Sequence, residues 1–178
     1  MNHIGWGQQQ EYKLLSNDRE IGRMLVNGTE EKIEINSEVN IKILAKAKVS
    51  YALKSNYDDD GLVQSSVITY LNGKEHSNTK MIAQGSGYTM TKNGKIQPID
   101  GKKKYTGAML YVLEPKDIAY VLSESDGLLR KVEKVGKHHY RLIHPKKKSQ
   151  VQEFMYKDGV LIEAMIKHPF KTFHILKK

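Results

Sequence analysis

Lys32-Ile33-Glu34-Ile35-Asn36-Ser37-Glu38-Val39-Asn40-Ile41-Lys42-Ile43-Leu44-Ala45-Lys46-Ala47-Lys48-Val49-Ser50-Tyr51-Ala52-Leu53-Lys54 is the stretch that decides the fold. Odd positions from Ile33 to Leu53 are almost all apolar, and the even positions between them are almost all polar. A period of two is a strand with one buried and one wet face. The register predicts Lys32, Glu34, Glu38, Lys42, Lys48 and Lys54 in solvent, and Ile35, Ile41, Val49 and Tyr51 inside. One straight strand of this length would span roughly 70 Å, too long for the domain. The chain must bend or reverse near Leu44–Lys48. A two-residue loop would swap the parity of the buried face; the parity is kept, so the reading expects an odd loop or one bent strand.

Outward from that stretch the punctuation is dense. Asn27-Gly28, Asp60-Gly61, Asn72-Gly73, Asn93-Gly94, Asp126-Gly127 and Asp158-Gly159 break the chain, and such pairs between alternating runs are the strongest short-range hairpin signals. The apolar face is odd on both sides of Asp60-Gly61 (Leu53, Tyr57, then Val63, Val67, Leu71). It is even on both sides of Asp158-Gly159 (Phe154, Tyr156, then Val160, Ile162, Ala164, Ile166). Kept parity predicts three-residue loops, Asp59–Gly61 and Lys157–Gly159, with each glycine left-handed in a bulge. Residues 74–84 lack a clean apolar face and are expected to form an exposed or edge arm.

One run breaks the rhythm. Thr106-Gly107-Ala108-Met109-Leu110-Tyr111-Val112-Leu113 is apolar on every side and is followed by Glu114-Pro115. With Thr106 as N-cap and Pro115 as stop, it reads as a short buried helix, with a further helical turn through Ile118–Leu122. A buried strand is the alternative for so short a run. The fold class that follows is all-β: a strongly curved antiparallel sheet of sequential hairpins, a half-barrel to nearly closed barrel, with one short helix as a plug on its concave side. Residues 1–9 are expected to be disordered or a leader remnant, and 10–178 a single antiparallel domain.

Composition bounds the chemistry. The 178 residues include no cysteine, which removes thiol nucleophiles and cysteine-ligated metal sites. The net charge is +9. Residues 1–90 carry ten Lys/Arg against eleven Asp/Glu, and residues 91–178 carry nineteen against nine. The surplus is nearly all lysine, with runs at Lys102–Lys104 and Lys146–Lys148 beside turn signals, and it lacks the interleaved Arg and aromatics of nucleic-acid readers. Solvated loop tips are the reading, with no nucleic-acid partner. No window approaches the roughly 20 apolar residues of a membrane helix, so no transmembrane segment is expected.

The motifs for catalysis or metals are weak. Asn56-Tyr57-Asp58-Asp59-Asp60-Gly61 opens like a calcium loop, but the twelfth position, which should be a bidentate Glu, is Val67. His138 and His144 share a strand face, yet lie about 20 Å apart along it, too far for one metal. Gly85-Ser86-Gly87 has the wrong spacing for a nucleophile elbow. Glu114, Asp117, Glu124 and Asp126 offer carboxylates, as any protein does. No catalytic residue, metal site or cofactor is assigned. The ten tyrosines suit strand surfaces and the rim of a ligand cavity.

These features carry a resemblance. Asp18-Arg19-Glu20-Ile21-Gly22-Arg23-Met24, Ser65-Ser66, Tyr70-Leu71-Asn72-Gly73-Lys74, Tyr105-Thr106, Met109-Leu110-Tyr111, Glu114-Pro115, Ser123-Glu124, Gly127 and Tyr156-Lys157-Asp158-Gly159-Val160 resemble a family of small exported bacterial all-β domains of unknown function. The likeness runs over about residues 10–178. It implies an exported, periplasmic or cell-envelope protein, although the leader such proteins carry is not present in this chain, and it implies no activity. More distantly the architecture is similar to lipoprotein carrier proteins, where a curved sheet wraps a short helix and holds acyl chains.

The expectation is a non-enzymatic envelope protein that binds an apolar or amphipathic, lipid-like ligand, with Tyr105, Met109, Leu110 and Tyr111 lining the ligand cavity. The alternatives are a structural or protein-interaction module with an envelope partner, and an uncharacterised hydrolase. A continuous apolar cavity beside the plug favours the first. A filled concave face with an exposed apolar edge favours the second, and converging carboxylates or histidines in a cleft favour the third.

Overall fold

Hairpin follows hairpin along the chain. The computed structural model describes residues 7, 9–42, 46–147, 149–168 and 171–178. Most of the readings on residues 1–9, and those on 43–45, lie outside the described residues. The strands are β1 (Gln10–Ser16), β2 (Arg19–Gly28), β3 (Lys32–Lys42), β4 (Lys46–Asp58), β5 (Gly61–Leu71), β6 (Lys74–Gln84) and β7 (Gly87–Lys92). They continue with β8 (Lys95–Ile99), β9 (Tyr120–Leu122), β10 (Leu129–Gly136), β11 (His139–Ile143), β12 (Val151–Lys157), β13 (Val160–His168) and β14 (Lys171–Lys177). All fourteen form one sheet in the order β8-β7-β6-β5-β4-β3-β2-β1-β14-β13-β12-β11-β10-β9. It is two antiparallel meanders joined where β1 pairs with β14. The sheet is curved and not closed, because its edges β8 and β9 do not pair. Among the described residues no helix is long and apolar enough to cross a membrane.

The parity of the buried face is kept across the turns by tight turns followed by bulges. Lys157 pairs with Val160 across a two-residue turn, and Asp158 (φ 53°) and Gly159 (φ 79°) are both left-handed. That corrects the three-residue loop. The parity is restored one pair later, where Tyr156 faces Leu161 but Met155 faces Glu163, leaving Ile162 as a β-bulge. Leu161 is therefore the buried residue (1% exposed), while Ile162 lies 41% exposed, against expectation. At Asp59-Asp60 the pairing also closes a two-residue turn, but here the left-handed residue is Gly61 (φ 118°), as expected, and the bulge falls at Val63, so Leu62 is buried in its place. The same device recurs after Asn17-Asp18, with the bulge at Ile21, and after Asn72-Gly73, with the bulge at His76. In all four hairpins the bulge lies three residues past the second turn residue. In three of the four both turn residues are left-handed, which matches the twist of the strands, and each bulge adds local twist and bend. Repetition of the pair coils the sheet into a trough.

Between β3 and β4, Lys42 pairs with Lys46, so the connection is odd, as the parity required. Lys32, Glu38, Lys48 and Lys54 are exposed, and Ile35 is 2% exposed. Glu34 is half-buried because Lys32 and Lys54 close on it at 2.9 and 3.2 Å. Ile41, Val49 and Tyr51 are also half-buried rather than enclosed. The side chain of Lys42 is outside the description. Residues 74–84 are not an edge, since β6 lies between β5 and β7, but much of the strand is exposed as expected: Lys74–His76, Lys80, Ile82 and Gln84. Its inner face is carried by Thr79 and Met81, a mixed pair that hid the alternation. The expected helical turn over Ile118–Leu122 is in part a strand, β9, because Tyr120–Leu122 finds β10 as a partner.

Residues 100–119 cross from one sheet edge to the other through the concave side. The plug there is shorter than a helix over Thr106–Leu113: it is one 3-10 turn, Ala108–Tyr111, with Ala108, Leu110 and Val112 buried. A buried irregular segment must find hydrogen bonds for its backbone; two tyrosines supply some of these and two more hold its side chains. Tyr88 Oη receives the Lys103 N–H at 2.8 Å, and Tyr156 Oη donates to the Leu110 carbonyl at 2.6 Å. The Tyr57 and Thr106 hydroxyls share a bond of 2.7 Å, and Tyr140 Oη donates to Glu114 Oε1 at 2.9 Å.

Two glycines are set by close approach. A Cβ on Gly22 would lie 1.9 Å from the backbone oxygen of Glu38, and one on Gly61 would lie 2.5 Å from that of Lys103. Gly159, by contrast, has open space around it. In chemical denaturation Gly159→Val should therefore cost about 1–2 kcal/mol, the left-handed backbone penalty alone, and Gly22→Ala should cost more. Equal costs would contradict the close crossing of β2 and β3. Leu110, 1% exposed, should lose about 2–5 kcal/mol on change to alanine by leaving a void, read as a shift in the urea midpoint at unchanged slope.

Candidate functional site

The plug does not fill the trough. A cavity of about 290 Å³ lies between the concave sheet, the plug and Ser123–Ser125. Both meanders contribute apolar walls: Leu14, Met24, Ile35 and Leu53 from β1–β4, and Leu142, Phe154, Ile166 and Ile175 from β11–β14. These are inward positions of the alternating strands. Tyr111 packs edge-on against Phe154, with ring centroids 5.8 Å apart.

One wall is polar. Glu124 is 3% exposed, and its Oε1 accepts the Ala108 N–H at 3.1 Å. Burial pushes the Glu124 carboxyl above the usual range, against the bonds from Thr106 and from the backbone of Ala108 and Gly107 that favour its charged form. Gly107 leaves room here: a Cβ on it would come within 3.2 Å of Glu124 Oε2, a tight contact. Tyr51 and Tyr111 also line this cavity. Burial and the nearby Glu124 raise both phenols, Tyr111 to about 12. Neither hydroxyl makes a hydrogen bond within the described residues.

At the rim the cavity runs into a second hollow of about 210 Å³; the two share Arg130, Leu142, Gln152 and Ile166. Arg130 Nη2 donates to Asp126 Oδ2 at 2.7 Å and to Ser123 Oγ at 3.2 Å. His144 Nδ1 accepts the backbone N–H groups of Lys146 and Lys147 at 3.1 and 3.2 Å. The ring proton therefore sits on Nε2. Burial, then the Arg130 guanidinium, holds the His144 imidazole below its usual range.

Of the residues singled out in the sequence, Tyr111 lines the cavity, while Tyr105, Met109 and Leu110 pack in the surrounding core. Glu114 and Glu124 are both buried but do not form a pair. Glu114 belongs to a separate cluster with Tyr140 and His138, whose Nδ1 is 2.8 Å away. His138 sits in the β10–β11 turn at φ 58°, not on the strand face with His144. Sequence reasoning missed Arg130, His144 and Gln152 as wall residues. Arg130 shares the inward parity of Val132, which was the available signal.

A family model described as a domain of unknown function (DUF6134) matches residues 12–178. No curated protein gives a significant match. Among solved structures, the chain is similar to the beta-barrel-like protein of domain of unknown function DUF1849 from Brucella abortus. That likeness has a TM-score of 0.62 at 12% identity and covers 96% of this chain and 95% of the other. It shows a shared fold.

Glu124 gives the cavity a pH signature. Its raised folded value makes its contribution to stability complete below the ordinary value of 4.5. That contribution is lost as pH rises through the folded value. Glu124→Gln keeps the acceptor for the Ala108 N–H and should flatten this loss in urea titrations run from pH 4.5 to 7.5. An unchanged slope would show that the carboxyl ionises freely.

Proposed function

The chain belongs to the DUF6134 family, whose description assigns no activity, and from its own geometry we propose that it binds a small amphipathic ligand without chemical turnover. The observation that carries this is the unfilled cavity itself. Cores of this size normally close to near-crystalline density, and a void of about 290 Å³ forfeits packing along its whole lining. The volume is at the lower end of the roughly 300–1,000 Å³ of small-molecule sites. It is about twice a cavity of about 150 Å³ that takes up benzene, which scales to about a dozen carbon atoms. That suits one short chain and excludes enclosure of a multi-chain lipid. The tyrosine hydroxyls and Glu124 add convergent polar groups to an apolar wall, the composition of a binding site rather than of a sealed core. An exported, cell-envelope setting, implied by the family resemblance, is part of this proposal.

Native mass spectrometry of protein purified from its own host, with titration of decanol as a neutral probe, tests the reading. The expected result is a retained small amphiphile or saturable decanol binding, abolished by Ser37→Phe, which projects a ring into the cavity while the fold is kept. Absence of both, or equal binding by Ser37→Phe, overturns it.

A further inference from the structure

The cavity has a direction. Its plug end is walled by Glu124, Gly107 and Ala108, and its rim end opens into the hollow at Arg130 and His144. We propose that this rim hollow receives the oxyanion headgroup of a single-chain amphiphile whose tail occupies the cavity. The inference rests on the ligand-binding reading above and adds the class of ligand.

Hydrogen-bond donors left without partners carry it. Both bonds of the Arg130 side chain run through Nη2, so its Nε–H and Nη1 hydrogens have no partner within the described residues. The side chain is only 14% exposed. His144 is 9% exposed at its side chain, and its Nε2–H lies 3.7 Å from Asp126 Oδ2, too far for a hydrogen bond. Gln152 is half-buried at the junction of the two hollows, and its side chain makes no bond within the described residues. Three side chains thus present unspent N–H groups to one space.

The acid in this space is Asp126, and it is engaged by Arg130 and by the Leu128 N–H at 3.1 Å. Lys167 borders the same hollow with its ammonium bonded to Glu153 Oε1 at 3.2 Å, and Lys146 and Lys147 lie close enough to depress the His144 imidazole. A planar guanidinium with a free edge, beside neutral donors, matches the lone pairs of a carboxylate or phosphate. A cationic head would find Asp126, paired with Arg130, and Glu153, paired with Lys167, Arg141 and His139. Lys146 and Lys147 therefore have a use beyond solvation: their backbone N–H groups fix the His144 tautomer so that the proton is on Nε2, at the hollow.

Calorimetry on the full chain with decanoate, decyl phosphate, decanol and inorganic phosphate tests this. Decanoate or decyl phosphate should bind at least about ten-fold more tightly than decanol, as expected for hydrogen bonds to a charged group. The better of the two identifies the head as carboxylate or phosphate. Arg130→Gln should bring the anionic amphiphile to the level of decanol and leave decanol unchanged. Because Arg130→Gln also breaks the Asp126 pair, Gln152→Leu serves as the second variant and should lower anion binding alone. Equal affinity for anionic and neutral amphiphiles overturns the headgroup site while the cavity reading stands. Inorganic phosphate binding as tightly as decyl phosphate overturns the amphiphile, and failure of all four probes overturns both readings.

Discussion

The interior depends on how an irregular stretch of backbone is kept there. Residues 103–114 cross the trough without strand partners on both sides, and a buried amide or carbonyl left unpaired costs about 1–3 kcal/mol. Tyr88, Tyr57, Tyr156 and Tyr140 reach in from β7, β4, β12 and β11 and tie this stretch at Lys103, Thr106, Leu110 and Glu114. The tethers come from both meanders, so they also bind the two halves of the sheet to one another. They fix where the plug lies, and hence which part of the trough is filled and which is left hollow.

The hollow is where the usual consistency of a core is broken. Elsewhere most inward positions are aliphatic or aromatic and tightly enclosed, as at Ile33, Met81 and Leu161, with small hydroxyl side chains such as Ser55 and Thr79 among them. Around the cavity a carboxyl, two unpaired phenols and a guanidinium are placed inside an apolar shell. Such departures from local rules are expected at functional positions and are sustained by order elsewhere. Here the order is supplied by the 3-10 turn, whose Gly107 leaves room for Glu124 and whose Ala108 N–H holds it.

The sheet was legible because its rule is local. Alternation from Ile33 to Leu53 and turn pairs such as Asp158-Gly159 report on neighbours in the chain, and they predict a curved antiparallel sheet with an interior plug. The bulges at Val63 and Ile162 were not legible: kept parity across a turn is satisfied equally by a three-residue loop and by a tight turn with a later bulge. β6 was misjudged because its inner face mixes Thr79 with Met81. The cavity was harder, because it is made of side chains from β1 to β14 whose convergence is a property of the finished trough. Tyr111 could be suspected from its run; Arg130 and His144 could not, since their meaning lies in which donors the fold leaves unspent.

The pairing of β1 with β14 bears on how the chain folds. Nearly every other pairing is between strands adjacent in sequence, a topology of mostly local contacts that favours rapid formation. The seam is different: the Lys178 N–H donates to the Glu11 carbonyl at 3.0 Å, across almost the whole chain. Until β14 is in place, β1 is a bare strand edge in the middle of the future sheet, with Tyr12 and Leu14 uncovered beside it. An unpaired edge of that kind recruits other chains. Synthesis delivers β1 first and β14 last, so the first meander must wait with that edge open. Its hazard to the cell is set by the rate of chain delivery rather than by the stability of the finished protein.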